Sequence, residues 1–222
     1  MLTDKVFIVT GAAGAIAGSI NAAFVDAGAK LALVDRHVVD TPFGATIQAD
    51  LDSISGAQQM VRIILERFGR IDALVHTVGA FQASSVLEYD PAVFDAMLNT
   101  NLRTLVHASS AVLPELVKTH GFLGGIAAGQ AARGAGAGAA VYAAAKAGVA
   151  VYLKSVAAEV KSVRCGVIYP MGTVDTPANR RAMPDADTAT WIDPLEIAQS
   201  FVFMATRGNR GRVLEIEVYP AA

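Results

Sequence analysis

Tyr142 and Lys146 lie one helical turn apart in the segment VYAAAKAG, and their types suit proton transfer beside a bound group. On a helix, positions i and i+4 share a face, with Cβ atoms roughly 5–6 Å apart. A phenol on its own titrates near pH ~10. A neighbouring ammonium favours the phenolate, so Lys146 is expected to lower the Tyr142 pKa into a range useful for giving and taking a proton. Lys146 is also long enough to reach a ribose hydroxyl. Tyr–Lys pairs at this spacing arise on many helices by chance, so the pair gains meaning only from what accompanies it.

A second set of residues lies near the N-terminus. The run Thr10-Gly11-Ala12-Ala13-Gly14-Ala15-Ile16-Ala17-Gly18 follows the β-branched stretch VFIV and opens a helical pattern. Such a turn lets backbone N–H groups around Gly11, Gly14, Ala15 and Ile16 approach a pyrophosphate, whose charge the helix N-terminus stabilises. Asp35 ends the next β-branched run, about 20 residues on, where a carboxylate accepts hydrogen bonds from ribose hydroxyls and repels a 2′-phosphate. The combination points to NADH (NAD) as cofactor, with NADPH disfavoured, while Arg36 offsets part of that repulsion. Asp50, after a third short run, either bonds an adenine ring or serves as a helix cap or solvated loop charge.

A scaffold must carry these groups, and the chain alternates short β-branched runs with longer helical stretches, the pattern of parallel βαβ units. Strands are predicted over 5–10, 30–35, 45–49, 73–77, 122–127, 164–169 and 213–218, and helices over 15–27, 54–68, 91–118, 139–160 and 194–206. Asp90-Pro91 and Asp193-Pro194 read as N-cap followed by proline at the first helical position. The expected fold class is α/β: one domain (1–222), a Rossmann-type doubly wound parallel sheet of about seven strands with helices on both faces. The Gly/Ala-rich stretch 124–140 reads as a mobile loop. The longest irregular segment, 171–193, reads as a substrate lid.

Composition narrows the function classes. A net charge of −2 gives no electrostatic case for nucleic acid or an acidic membrane surface. The single cysteine, Cys165, excludes an internal disulfide and a cysteine-based metal cluster. His37, His76, His107 and His120 are scattered without metal-ligand spacing, so no metal is expected. His76 stands out only because it ends a strand beside the cleft. The chain is 53% hydrophobic and 17% charged. A membrane span needs roughly 20 apolar residues with few charges, and the longest apolar stretch, 141–160, carries Lys146, Lys154 and Glu159. The N-terminus runs straight into a strand with no signal-peptide pattern. These features lead to the expectation of a cytoplasmic protein with a small-molecule substrate and neither a nucleic-acid nor a membrane partner. The 141–160 helix is apolar around most of its circumference. One face is therefore expected on the sheet and the other on a second copy, giving a homodimer or homotetramer.

The order of glycine-rich turn, Asp35, Asn101, Tyr142-x-x-x-Lys146, and Pro170 before Thr176 resembles the short-chain dehydrogenase/reductase family over essentially the whole chain. The resemblance implies that Tyr142 is the general acid and that Lys146 tunes it and holds the nicotinamide ribose. It implies that Asn101, with Asn99 as the near alternative, anchors a water-linked proton relay. Gly79, Pro170, Thr173 and Thr176 would line the cofactor.

Three departures stand out. Ala15 and Ala17 occupy places where the family usually has glycine, and His76-Thr77-Val78-Gly79 replaces its Asn-Asn-Ala-Gly. Where the family's catalytic serine precedes the tyrosine, the chain has Ala127, Ala128, Gly129 and Gln130. Losing such a donor typically costs roughly a hundredfold or more in rate. An ordinary ketone is thus expected to be a poor substrate, with Gln130 or a water as the replacement donor.

The dihydropteridine reductase branch resembles the chain in lacking that serine and in using NADH, although Ala17 departs even from this branch. The likeness is greatest through Thr173-Val174-Asp175-Thr176-Pro177-Ala178-Asn179-Arg180-Arg181-Ala182-Met183-Pro184-Asp185-Ala186-Asp187, then Trp191 and Pro194. It implies hydride transfer from NADH to a quinonoid dihydropterin or similar electron-poor heterocycle. The alternatives are a broader carbonyl or enone reductase and a catalytically silent NAD-binding protein. On the substrate side, Phe81 is a candidate pocket wall. Arg180 either holds an anion or stays solvated, and Trp191 either stacks on a flat ring or pins the lid.

Overall fold

The computed structural model describes every residue except Met1, Val39, Ala135, Asn209, Arg210 and Ala222. Among the described residues seven strands form one parallel sheet. They are β1 (Val6–Thr10), β2 (Lys30–Asp35), β3 (Ala45–Gln48), β4 (Ala73–His76), β5 (Phe122–Ile126), β6 (Arg164–Pro170) and β7 (Glu215–Val218). Their order is β3-β2-β1-β4-β5-β6-β7, and each neighbouring pair is parallel. The chain lays down β1 to β3 in one direction, then returns past β1 to begin β4. Order therefore reverses between β1 and β4, opening a crevice at the carboxyl ends of those strands. Thr10 pairs with His76 at that edge.

The helices are α1 (Ala17–Asp26), α2 (Ile54–Phe68), α3 (Pro91–Leu98), α4 (Thr104–Thr119), α5 (Gly129–Arg133), α6 (Ala140–Glu159), α7 (Pro177–Ala182) and α8 (Pro194–Ala205). Alternate side chains of a strand point to opposite faces. Val6 and Ile8 accordingly join Met60 of α2, Leu105 of α4 and Leu153 of α6, while Phe7 and Val9 join Phe24 of α1 and Phe201 of α8. Each such fully buried side chain contributes about 1.5–3 kcal/mol. Ser53 caps α2 by accepting from the Gly56 N–H at 3.1 Å. Asp90 and Asp193 cap α3 and α8 ahead of their prolines, as the sequence predicted.

Three predicted segments differ from the structure. The helix expected over 91–118 is two helices joined by a π-helical turn, Asn99–Arg103. An extra residue in one turn leaves the apolar spacing nearly intact, so periodicity does not reveal it. The 171–193 segment is not wholly irregular, since it contains α7 and a 3₁₀ turn, Thr188–Thr190, capped by Asp187. A bridge between Val174 and Ile192 closes it at the base. Within 124–140, where a mobile loop was expected, Gly129–Arg133 is helical, and Arg133 is tied to Glu217 at 2.6 Å. Ala135 of that stretch lies outside the described residues.

Helix α6 is the one described helix long and apolar enough, by length and composition alone, to cross a membrane. It lies against β5 and β6 and buries Lys146.

Candidate active site

β1 delivers the glycine-rich turn to the crevice. Gly11 has φ +70°, in the left-handed region, and a Cβ there would stand 2.9 Å from the Val78 nitrogen. Glycine meets both constraints, and this draws the turn against the strand end that leads to Gly79. The Gly14 N–H donates to the Gly11 carbonyl at 2.8 Å. No side chain caps α1 at Ile16, so its first turn offers N–H groups to an anion, as a pyrophosphate requires. Asp35, at the end of β2, accepts from the Ala13 N–H at 3.1 Å and the His37 N–H at 3.2 Å. Its carboxylate borders a cavity of about 230 Å³ shared with Gly11, Arg36, Asp50 and Gly79. Asp50 accepts from the Asp52 N–H at 3.0 Å, so it makes a local turn, and Ser53 is the cap of α2.

A second cavity, about 750 Å³, adjoins the first at Gly14, Thr77, Gly79 and Ala80. An elongated ligand can therefore run from Asp35 to Tyr142. Ala15, Ile16, Phe81, Gln130, Tyr142 and Lys146 line this second cavity, together with Pro170, Thr173 and Thr176. The fit to a dinucleotide rests on three features of the chain itself: the left-handed glycine, the uncapped helix start and the carboxylate at the ribose end.

Burial, rather than the Lys146 ammonium, sets the direction in which Tyr142 shifts. Lys146 is 6% exposed and donates to the Ile126 carbonyl at 2.9 Å. Burial lowers its pKa to about 8. Tyr142 packs edge-on against Phe81, with ring centroids 5.0 Å apart and planes at 85°. Burial raises the phenol above its ordinary value, contrary to the sequence expectation. The cause is desolvation of the phenol, which no hydrogen bond from another described residue offsets.

Asn101 is fully buried in the π-helical turn. Its Oδ1 accepts from the Ala80 N–H at 3.2 Å, and its Nδ2 donates to the carbonyls of Ala80 at 2.9 Å and Met97 at 3.0 Å. The side chain clamps the segment after β4, so any part in a proton relay falls to other atoms of that turn. Asn99 is only half-buried. A Cβ on Gly79 would lie 2.9 Å from Asn101 Oδ1 and 3.0 Å from Lys146 Nζ, so any side chain there would have to displace these two groups.

His76 proves structural. Thr104 donates to the Thr100 carbonyl at 2.8 Å, so it accepts from His76 Nε2 at 3.1 Å. Nδ1 then accepts from Thr10 at 2.8 Å. Burial, then the charge of Lys146, holds its pKa down at about 3.

Two substrate candidates are placed elsewhere. Arg180 donates from Nε and Nη2, one edge of its guanidinium, to the two Asp175 carboxylate oxygens at 2.6 and 2.7 Å, and does not line the cavity. Trp191 follows the 3₁₀ turn, half-buried and outside the cavity wall, which disfavours stacking on a substrate. Sequence reasoning missed Thr77, Asn179 and Met183 as lining residues. Asn179 had a signal in its place three residues after the Thr176 cap, whose hydroxyl accepts the Asn179 N–H at 3.2 Å.

The model of a family described as short chain dehydrogenase matches residues 5–187. An uncharacterised oxidoreductase of Staphylococcus epidermidis is 27% identical, over 98% of this chain and 97% of its own length. Among solved structures, the ligand-free aldohexose dehydrogenase of Thermoplasma acidophilum superposes with a TM-score of 0.87 at 24% identity, covering 97% of this chain and 93% of that one. A 3-ketoacyl-(acyl-carrier-protein) reductase from Brucella melitensis, complexed with NADH, gives 0.85 at 21% identity over 98% of both chains. At these identities the structural likeness establishes the fold alone.

Proposed function

The chain belongs to the short-chain dehydrogenase family, and from that premise we propose that it is an NADH-dependent reductase of electron-poor conjugated acceptors, a quinonoid dihydropterin first among them. The observation that carries this reading is the cavity wall Ala127–Ala128–Gly129, which offers no hydroxyl to a substrate carbonyl. A substrate already prone to accept hydride needs such a donor least.

When bound, the reduced nicotinamide supplies a hydride, two electrons with one hydrogen. Tyr142 gives the second hydrogen as a proton and regains it from solvent. Its raised pKa keeps that proton in place at neutral pH, which suits reduction. Lys146, charged below about pH 8, faces the same cavity and is suited to hold a ribose. Asp35 favours NADH over NADPH by repelling a 2′-phosphate. Phe81 forms an apolar wall beside Tyr142. We further place the chain in the cytoplasm as a homodimer or homotetramer through α6, whose outer side leaves Val151 59% exposed.

A second reading, a broader carbonyl or enone reductase, draws on Gln130, whose exposed side chain lines the cavity. The test is NADH oxidation by purified protein with freshly generated quinonoid dihydropterin, repeated with NADPH and with Tyr142→Phe. Expected are turnover favouring NADH and a loss of roughly a hundredfold or more in the variant, with NADH affinity unchanged. Reduction of diketones but not pterin would favour the broader reductase. NADH binding with no acceptor reduced would leave a silent nucleotide-binding protein.

A further inference from the structure

The second cavity is nearly devoid of charge. Among the described residues lining it, Lys146 carries the only cationic side chain and no carboxylate is present. That amine is buried and held by the Ile126 carbonyl. With Lys146 held by Ile126 and assigned to the ribose, an anionic group on an incoming substrate would find only neutral polar partners such as Gln130, Thr173 and Asn179, which is unfavourable.

A cation does stand close by. Val174, Thr176 and Asn179 line the cavity, whereas Asp175 and Arg180, their immediate neighbours in sequence, do not. Extended backbone at Thr176 (φ −134°, ψ 153°) turns successive side chains to opposite sides. The Asp175 N–H donates to the Ile192 carbonyl at 2.8 Å, which anchors this strip to the far end of the 171–193 segment. Asp175 then takes Arg180 in two parallel hydrogen bonds, at 2.6 and 2.7 Å. The pairing lowers the carboxyl pKa and raises that of the guanidinium, so both stay charged together. Exposed pairs contribute little to stability, but a bidentate fork fixes direction well.

We propose that Asp175 is a specificity-determining residue: by holding Arg180 away from the cavity it keeps the substrate site neutral, so that the acceptor is uncharged at the end that enters. This rests on the reductase reading above for the word acceptor, and on the cavity for its shape. Conjugated ring carbonyls and imines without acidic groups fit. 2-Keto acids and phosphorylated carbonyl compounds do not.

Redox-inert ligands separate this inference from catalysis. Binding of 2-naphthol and of 2-naphthol-6-sulfonate is measured by calorimetry on the wild-type protein with NAD at saturation. The neutral compound is expected to bind at least about tenfold tighter, a difference of about 1.4 kcal/mol. Asp175→Asn keeps the residue's size but removes its charge and releases Arg180. In that variant the ratio is expected to shrink to about threefold or less through tighter sulfonate binding, and Asp175→Asn/Arg180→Gln is expected to restore it. Equal or tighter sulfonate binding by wild type would overturn the neutral site. A ratio unmoved in Asp175→Asn would overturn the role of Asp175. In parallel, NADH oxidation with 1,2-naphthoquinone and its 4-sulfonate gives the catalytic counterpart. Failure of both quinones would count against the reductase reading and leave the binding comparison to decide this one.

Discussion

The amino and carboxyl ends of the sheet's strands each bury a charged side chain, and they treat it in opposite ways. At the amino end, Asp72 is 4% exposed and accepts the Val6 N–H at 2.9 Å and Arg70 at 2.7 and 2.8 Å. Lys5 adds an ion pair at 3.1 Å. Burial pushes the Asp72 pKa up, but Arg70, Val6 and Lys5 together outweigh it and hold the carboxyl below its usual range. At the carboxyl end, Lys146 is about as buried and has one carbonyl for company. Burial is unopposed there, and the amine falls to about 8. A compensated charge serves the scaffold, while an uncompensated one stays responsive to whatever binds beside it.

Removing each charge should separate these roles. Asp72→Ala is expected to lower stability by about 3 kcal/mol, since several charge-assisted bonds are lost at once. Denaturant titration measures this, and turnover per folded molecule should hold. Lys146→Met is expected to do the reverse, with turnover down about a hundredfold and the thermal midpoint raised by loss of a desolvated amine. A lowered midpoint in that variant would break the comparison.

The pH dependence sharpens it further. The folded pKa of Lys146 lies below the unfolded value of 10.5. Between about 8 and 10.5 the unfolded chain binds more protons there, so stability should climb with pH by up to about 1.4 kcal/mol per unit. Turnover should fall over the same interval as the amine discharges. Neither trend should survive in Lys146→Met. His76 gives the acid counterpart, because its folded pKa of about 3 lies below the ordinary 6.5. Its share of stability is present above pH 6.5 and drains as pH falls toward 3. Comparing wild type with His76→Asn between pH 6 and 4, the variant should show the shallower loss.

The scaffold was largely legible along the chain. Each of the seven strands and five long helical segments has a strong local cause: β-branched runs, Asp-Pro caps, and glycine at φ +70° in the first turn. The nucleotide end was legible for the same reason, because Gly11, Gly14 and Asp35 act through backbone geometry that follows from their own positions. The catalytic end was legible only as a set of names. Tyr142, Lys146, Gln130 and Phe81 do converge on one cavity, yet burial, rather than the lysine, sets the direction of the Tyr142 shift. Arg180 and Trp191 sit on a segment whose composition invites a role in binding, but a carboxylate five residues away and a bridge to Ile192 hold it in another pose.

What the sequence by itself determined is the βαβ order, the family and which residue types are available: a tyrosine and a lysine one turn apart, a carboxylate after β2, and no serine before the tyrosine. Periodicity, capping and turn chemistry are local, so they survive in one dimension. The tertiary structure alone decided which of those groups keep their water, which find a partner, and which are turned away from the cavity. Those outcomes depend on neighbours far apart in the chain, as Thr10, His76 and Thr104 are. Burial sets the charge of a side chain only once such neighbours have closed around it.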